Sequence, residues 1–191
     1  NEFETNESLS LIAVNTDIAA LNKSNVETKI LIGEELTKGY GAGADPSLGY
    51  QAAEESIAIL SNIIESTDIL ILTSGFGGGT GTGAMPFIAK LAKELGTHCL
   101  AVVTLPFDSE GGLRTKIATD GLIELEKHTN AYISLSNDLL LKSLNEKVGI
   151  FSAFKQSNEI LKNLVQAIVS MLTKTGHINV DIKDFSRVIS L

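Results

Sequence analysis

Between Ser74 and Ala84 the chain reads Ser-Gly-Phe-Gly-Gly-Gly-Thr-Gly-Thr-Gly-Ala, with an apolar run from Ile69 to Thr73 before it and an amphipathic run from about Thr82 after it. Glycine at that density is costly in backbone entropy and adds nothing to a core. A loop keeps it where the main chain must turn to positive φ or approach something closely. Strand, glycine loop and helix in that order point unpaired N–H groups and the positive end of a helix dipole at one spot. An anion, and most naturally a phosphate chain, is the object such a spot accepts.

Around this loop, apolar runs alternate with helical patterns from end to end, the signature of a βαβ series. Leu9 to Val14 reads as a strand, followed by the polar turn Asn15-Thr16-Asp17 and a short helix through Leu21; Lys29 to Ile32 is a second strand. A second glycine loop spans Thr37 to Pro46, with Asp45 as helix N-cap and Pro46 at the first helical position. The helix after it carries Ile57, Leu60 and Ile64 on one stripe, and Ile69 to Thr73 reads as a strand buried on both faces. The next helix has Ile88, Leu91, Ala92 and Leu95 together and stops at Gly96. Pro86 predicts that it begins no earlier than about Thr82, or is distorted there.

Cys99 to Thr104 and Ala131 to Leu135 are further strands, separated by a helix running to about His128. Phe151 to about Thr175 reads as one long helix, apolar all round and therefore expected between layers, and Gly176 ends it. The expected fold is α/β: a three-layer, Rossmann-like, mostly parallel sheet with helices on both faces and a long helix at the C-terminal end. Residues 1–175 form its body, and residues 176–191 form an acid-bearing loop and the start of another helix.

Lys and Arg total 15 against 23 Asp and Glu, a net charge of −8, which disfavours nucleic acid and anionic lipid as partners. Cys99 is the sole cysteine and lies in an apolar run, so it reads as a small buried hydrophobe suited to a reducing compartment. The first residues are acidic and polar, and no apolar run approaches the ~20 residues needed to span a bilayer. A cytoplasmic location without membrane insertion is expected.

In an open parallel sheet, ligands bind beyond the carboxyl ends of the strands, and every loop singled out above leaves a strand at that end. The main glycine loop lacks the lysine of a GxxxxGKS/T loop, and no acidic residue closes the next strand as a dinucleotide fold requires. Glu110 and Arg114, four apart at a helix start, read by spacing alone as a surface ion pair.

Six segments carry a more specific signal. GGGTGTGAMP (77–86) resembles the signature of the tubulin and bacterial FtsZ superfamily, and Thr82 is closer to the FtsZ form than to tubulin's usual Ser. Asn15-Thr16-Asp17, TKGYGAGADP (37–46), TLPFDSEGGLR (104–114), SNDLLL (136–141) and NVDIKD (179–184) each resemble an FtsZ loop, in the family's order and spacing. The resemblance implies a GTP/GDP site, Mg²⁺ with the triphosphate, and a filament-forming GTPase of bacterial division that assembles head to tail with itself and meets accessory division proteins at mid-cell.

Matched to the family's motifs, Gly79, Thr80 and Gly81 would hold phosphate oxygens through backbone N–H groups and the Thr hydroxyl, with Gly77, Gly78 and Thr82 in the same nucleotide-binding loop. Ala42, Gly43 and Ala44 would line the γ-phosphate side, and Glu110 and Arg114 would contact ribose and phosphate. Asn137 and Asn158 would read the guanine edge, with Phe154 against the ring. Asn179, Asp181 and Asp184 would enter the next subunit's pocket and position the attacking water.

The chain departs from the family in carrying Asp45 for Asn, Phe76 for Met, Leu105 for Lys and Asp108-Ser109 for Asn-Phe. The family's first strand with its GGxGxN loop, and its C-terminal domain, have no counterpart here. Weak GTP binding is expected unless another segment supplies that loop. The alternatives are a non-hydrolysing structural or regulatory relative or an incomplete fragment and, far behind, a nicotinamide-dinucleotide enzyme.

Overall fold

The computed structural model describes residues 9–143 and 150–173. Five strands are all paired in parallel, in two groups. β1 (Ile12–Asn15) pairs with β2 (Thr28–Leu31), while β4 (His98–Leu105) lies between β3 (Ile69–Gly75) and β5 (Ala131–Ser136). The helices are α1 (Ile18–Lys23), α2 (Glu34–Thr37), α3 (Pro46–Glu55), α4 (Ile57–Glu65), α5 (Gly79–Leu95), α6 (Gly112–Glu126), α7 (Asn137–Ser143) and α8 (Ile150–Thr173).

The period-two geometry of β4 sets the layers. Cys99, Ala101 and Val103 face a core built with Ile32, Ala52, Leu60, Ile64 and the apolar stripe of α5, whereas Leu100 and Val102 face Val165 and Ile168 of α8. Helices therefore cover both faces of a parallel sheet, as expected of a three-layer α/β fold. Cys99 is fully buried, and desolvation pushes its thiol up to about 12, as befits an inert packing residue. No helix among the described residues is long and apolar enough to cross a membrane.

One expectation is qualified and three are corrected. β3 packs on both faces as expected, Leu70 and Leu72 into one core and Ile69 and Ile71 into the other, but as an edge of the three-stranded group it is only half-buried, and the fully covered strand is β4. The single helix expected after Pro46 is broken at Ser56, because the residues at the break are engaged elsewhere. Ser56 Oγ accepts from Gly33 N–H, and the Glu55 carboxylate accepts from the N–H groups of Glu35 and Leu36, closing the start of α2.

The late start near Thr82, one of the two outcomes expected from Pro86, does not occur: the helix starts at Gly79 and continues through Pro86. Packing of α3 along the glycine-rich first turns of α5 supports what local propensity disfavours. Finally, α8 is not buried all round: Ala153, Ser157, Val165 and Ile168 form its covered side, and Met171 is half exposed. Its apolar stripe has the sheet on one side only.

Candidate functional site

Within each group the strands run in parallel, so their carboxyl ends share an edge, and the loops leaving β1 and β3 meet where Thr16 bonds Thr80. The main glycine loop begins where β3 ends. Gly77 holds φ +100°, and its N–H donates to Thr82 Oγ1 at 2.9 Å; Phe76 N–H donates to the Thr104 carbonyl at 2.9 Å. Thr82 is thereby turned into the fold, where it braces the loop. Gly78 caps α5 with no side-chain acceptor, so the first-turn N–H groups of Gly79, Thr80 and Gly81 and the positive pole of a 17-residue helix stand at this edge.

Most of the glycines here answer to the protein's own packing. A Cβ on Gly79 would sit 2.8 Å from Ala42 Cβ and from Asp45 N; one on Gly81 or Gly83 would strike backbone of β3 or α3. A Cβ on Gly78 would meet open space. The second glycine loop is thus seated directly on the start of α5. Within it Ala42 is buried, while Gly43 and Ala44 are exposed with φ +56° and +61°. A left-handed alanine costs about 1 kcal/mol, a strain that marks a loop whose path is imposed from outside its own sequence.

Asp45 is exposed and caps α3 by accepting from Ser47 N–H at 2.9 Å. The β1 loop joins through Thr16, which is fully buried and shares a 2.6 Å hydrogen bond between its Oγ1 and that of Thr80. Sequence reasoning noted the Asn15-Thr16-Asp17 turn without assigning Thr16 a place in the site; its hydroxyl type beside the strand end was the available signal.

The exit of β4 supplies the opposite wall. The Arg114 carbonyl and Cβ lie 3.1 and 3.4 Å from where a Gly77 Cβ would be, which places the start of α6 against the glycine loop. Glu110 Oε1 accepts from Phe107 N–H at 2.9 Å, and its Oε2 accepts from Arg114 at 2.6 Å. Arg114 remains 54% exposed, so the pair adds little stability and leaves the guanidinium accessible to a ligand. Phe107, 2% exposed, meets Phe154 of α8 edge to face with centroids 4.8 Å apart. Asp108 N–H donates to Asp138 Oδ2 at 2.8 Å, tying the same loop to α7.

Asn137 opens α7 immediately after β5 and is buried. Phe154 is 38% exposed, and Asn158 is exposed near the start of α8. Among the described residues the side-chain hydrogen bond of Asn137 goes to Ser157 and not to Asn158. Asn179, Asp181 and Asp184 lie outside the described residues. The described residues include no cluster of three His, Cys, Asp or Glu able to hold a metal ion.

One edge thus carries backbone donors at a helix start, an accessible Arg beside a carboxylate, and, farther along, a buried amide with an aromatic ring. A phosphorylated ligand with an aromatic base matches that sequence of groups. A family model described as "Tubulin/FtsZ family, GTPase domain" matches residues 1–145. The chain is 46% identical over 184 residues to the cell division protein FtsZ of Wigglesworthia glossinidia brevipalpis, covering 96% of this chain and 48% of that protein. To the FtsZ of Coxiella burnetii it is 44% identical, covering 98% and 48%.

Among solved structures, an empty FtsZ dimer of M. jannaschii superposes with TM-score 0.90 at 41% identity, over 94% of this chain and 52% of that one. GDP-bound monomeric CetZ1 of Haloferax volcanii superposes with TM-score 0.74 at 27% identity, over 94% and 54%. The chain spans about half the length of the curated relatives it matches. With its ordered loops converging on one sheet edge and these likenesses covering nearly all of its length, the chain belongs to the tubulin/FtsZ family.

Proposed function

We propose that this chain is the nucleotide-binding part of a cytoplasmic, filament-forming cell-division GTPase of the FtsZ type. The observation that carries the reading is the uncapped start of α5 seated between the second glycine loop and the Arg114 side of α6. In this reading the N–H groups of Gly78, Gly79, Thr80 and Gly81 hold phosphate oxygens, with the Thr80 hydroxyl beside them. Gly77 and Thr82 shape the loop that presents them.

Ala42, Gly43 and Ala44 enclose the γ-phosphate side. Glu110 and Arg114 take the ribose and a phosphate, and Arg114 offsets charge as the leaving diphosphate forms. Asn137 and Asn158 read the guanine edge, and Phe154, steadied by Phe107, lies against the ring. Mg²⁺ would accompany the triphosphate, as is usual for such ligands. When bound, it would supply charge neutralisation at the phosphates.

Hydrolysis would be completed by Asn179, Asp181 and Asp184 of an adjacent copy, whose carboxylates orient water for in-line attack. A site at one end of a subunit and a catalytic loop at the other make a heterologous contact, which propagates as an open filament. An apolar patch at the nucleotide edge supports such a contact: Tyr40 is 88% exposed, with Ile18 at 48% and Leu36 at 42% close by. The names of the relatives, cell division proteins and an FtsZ dimer, support the same assignment. Accessory division proteins would meet the resulting filament at mid-cell.

The test uses the full-length protein. Turnover per subunit should rise with protein concentration, and Asp181→Ala should reduce it by at least about a hundredfold while leaving GTP affinity within about twofold. Undiminished turnover at concentrations where the protein is monomeric would overturn the shared-site reading.

A further inference from the structure

Asn137 and Ser157 are buried together, 5% and 3% exposed, and the Ser157 hydroxyl donates to Asn137 Oδ1 at 2.5 Å. The bond spans 20 residues, joining the first residue of α7, at the sheet's carboxyl edge, to the inward side of α8. Ser157 has no place in the motif matches that pointed to the nucleotide site.

A carboxamide has two ends of nearly equal shape and opposite hydrogen-bonding sense, so an unrestrained one can turn over and present either. Such an amide accepts a carbonyl or an amino group equally well. One whose oxygen is held by a buried hydroxyl can offer a ligand only its N–H end, and water does not compete strongly for the bond that holds it. A fixed N–H donor suits the 6-carbonyl of guanine and opposes the 6-amino group of adenine, because donor then faces donor.

We propose that Ser157 is a positioning residue for base discrimination: by holding Asn137 Oδ1 it fixes which end of the amide meets the purine. The inference rests on the reading of Asn137 as a base contact. Phe154 on the same helix sets the ring plane through its contact with Phe107, so one rigid element carries both the stacking group and the serine that orients the amide.

The experiment measures GDP and ADP dissociation constants by calorimetry on the full-length protein. Ser157→Ala should lower the GDP-over-ADP preference about tenfold, mostly by improving ADP binding, and Ser157→Thr, which keeps the hydroxyl, should retain it. Loss of affinity for both nucleotides alike in Ser157→Ala, or an unchanged preference, would overturn the proposal. Asn137→Ala separates the two levels. If it too leaves the preference unchanged, the base-contact reading fails and takes this inference with it; if it abolishes the preference while Ser157→Ala does not, only the positioning role falls.

Discussion

The two ends of the candidate site are built from different materials. The end proposed for phosphate is almost entirely main chain: Gly78, Gly79 and Gly81 form the start of α5, and Gly79 and Gly81 are required because the fold's own atoms lie where a side chain would be. The end proposed for the base is made of side chains held largely by other side chains. Asn137 is held by Ser157, Phe154 lies against Phe107, and the Phe107 N–H is closed by Glu110. A backbone site cannot be altered without disturbing the fold, whereas a side-chain site can be retuned residue by residue. Discrimination between ligands is therefore expected to reside at the base end and anion affinity at the phosphate end.

The largest stability effect expected is Phe107→Ala at the base end. It removes a fully buried ring and the partner of Phe154, lowering stability by about 3–5 kcal/mol in denaturant titration and weakening nucleotide binding through Phe154. At the phosphate end, Gly83→Ala should lower stability by about 1–3 kcal/mol, since the added methyl meets α3 backbone that cannot step aside. Gly78→Ala, with open space around it and φ −103°, should change stability by less than about 1 kcal/mol. Equal losses for the two glycines would show that the loop's composition serves a ligand and not the packing of α3 on α5.

The smallest effect is Asp45→Asn. Either residue caps α3, so thermal stability should shift by under about 0.5 kcal/mol. Removal of one exposed negative charge beside the Ala42–Ala44 loop should tighten GTP binding about two- to threefold at low salt, with the gain fading as salt is added.

Much of this was legible from residue order. Each predicted strand appears within a few residues of its expected bounds, and Gly96 ends α5 in the left-handed conformation, with Asp45 and Pro46 opening α3. Boundaries failed where tertiary contacts outweighed local preference. Pro86 suggested a late start for α5, but the close seat of α3 extends helix back to Gly79; a continuous stripe through Ile57 and Ile64 concealed the break at Ser56, whose hydroxyl serves Gly33. The apolar run of β3 marked a strand with core on both faces but not its edge position, because such a run reads the same in an edge strand and a central one.

Within the site, the glycine loops, the turn that holds Thr16 and the Glu110–Arg114 pair lie in segments that resemble the family's, although spacing alone reads that pair as a surface ion pair. The partner of Thr16 and any part for Ser157 were not legible, since a lone hydroxyl becomes meaningful only when folding sets it against Thr80 or Asn137.

The order of residues by itself determined that this chain forms parallel strands with glycine-rich turns at their exits, since side-chain periodicity and backbone freedom are local properties. Which strand is central, which glycines are required by packing, and which hydroxyl holds which partner were decided by tertiary structure. Those depend on distances between segments far apart in the chain, and such distances are set only when the layers close around β4.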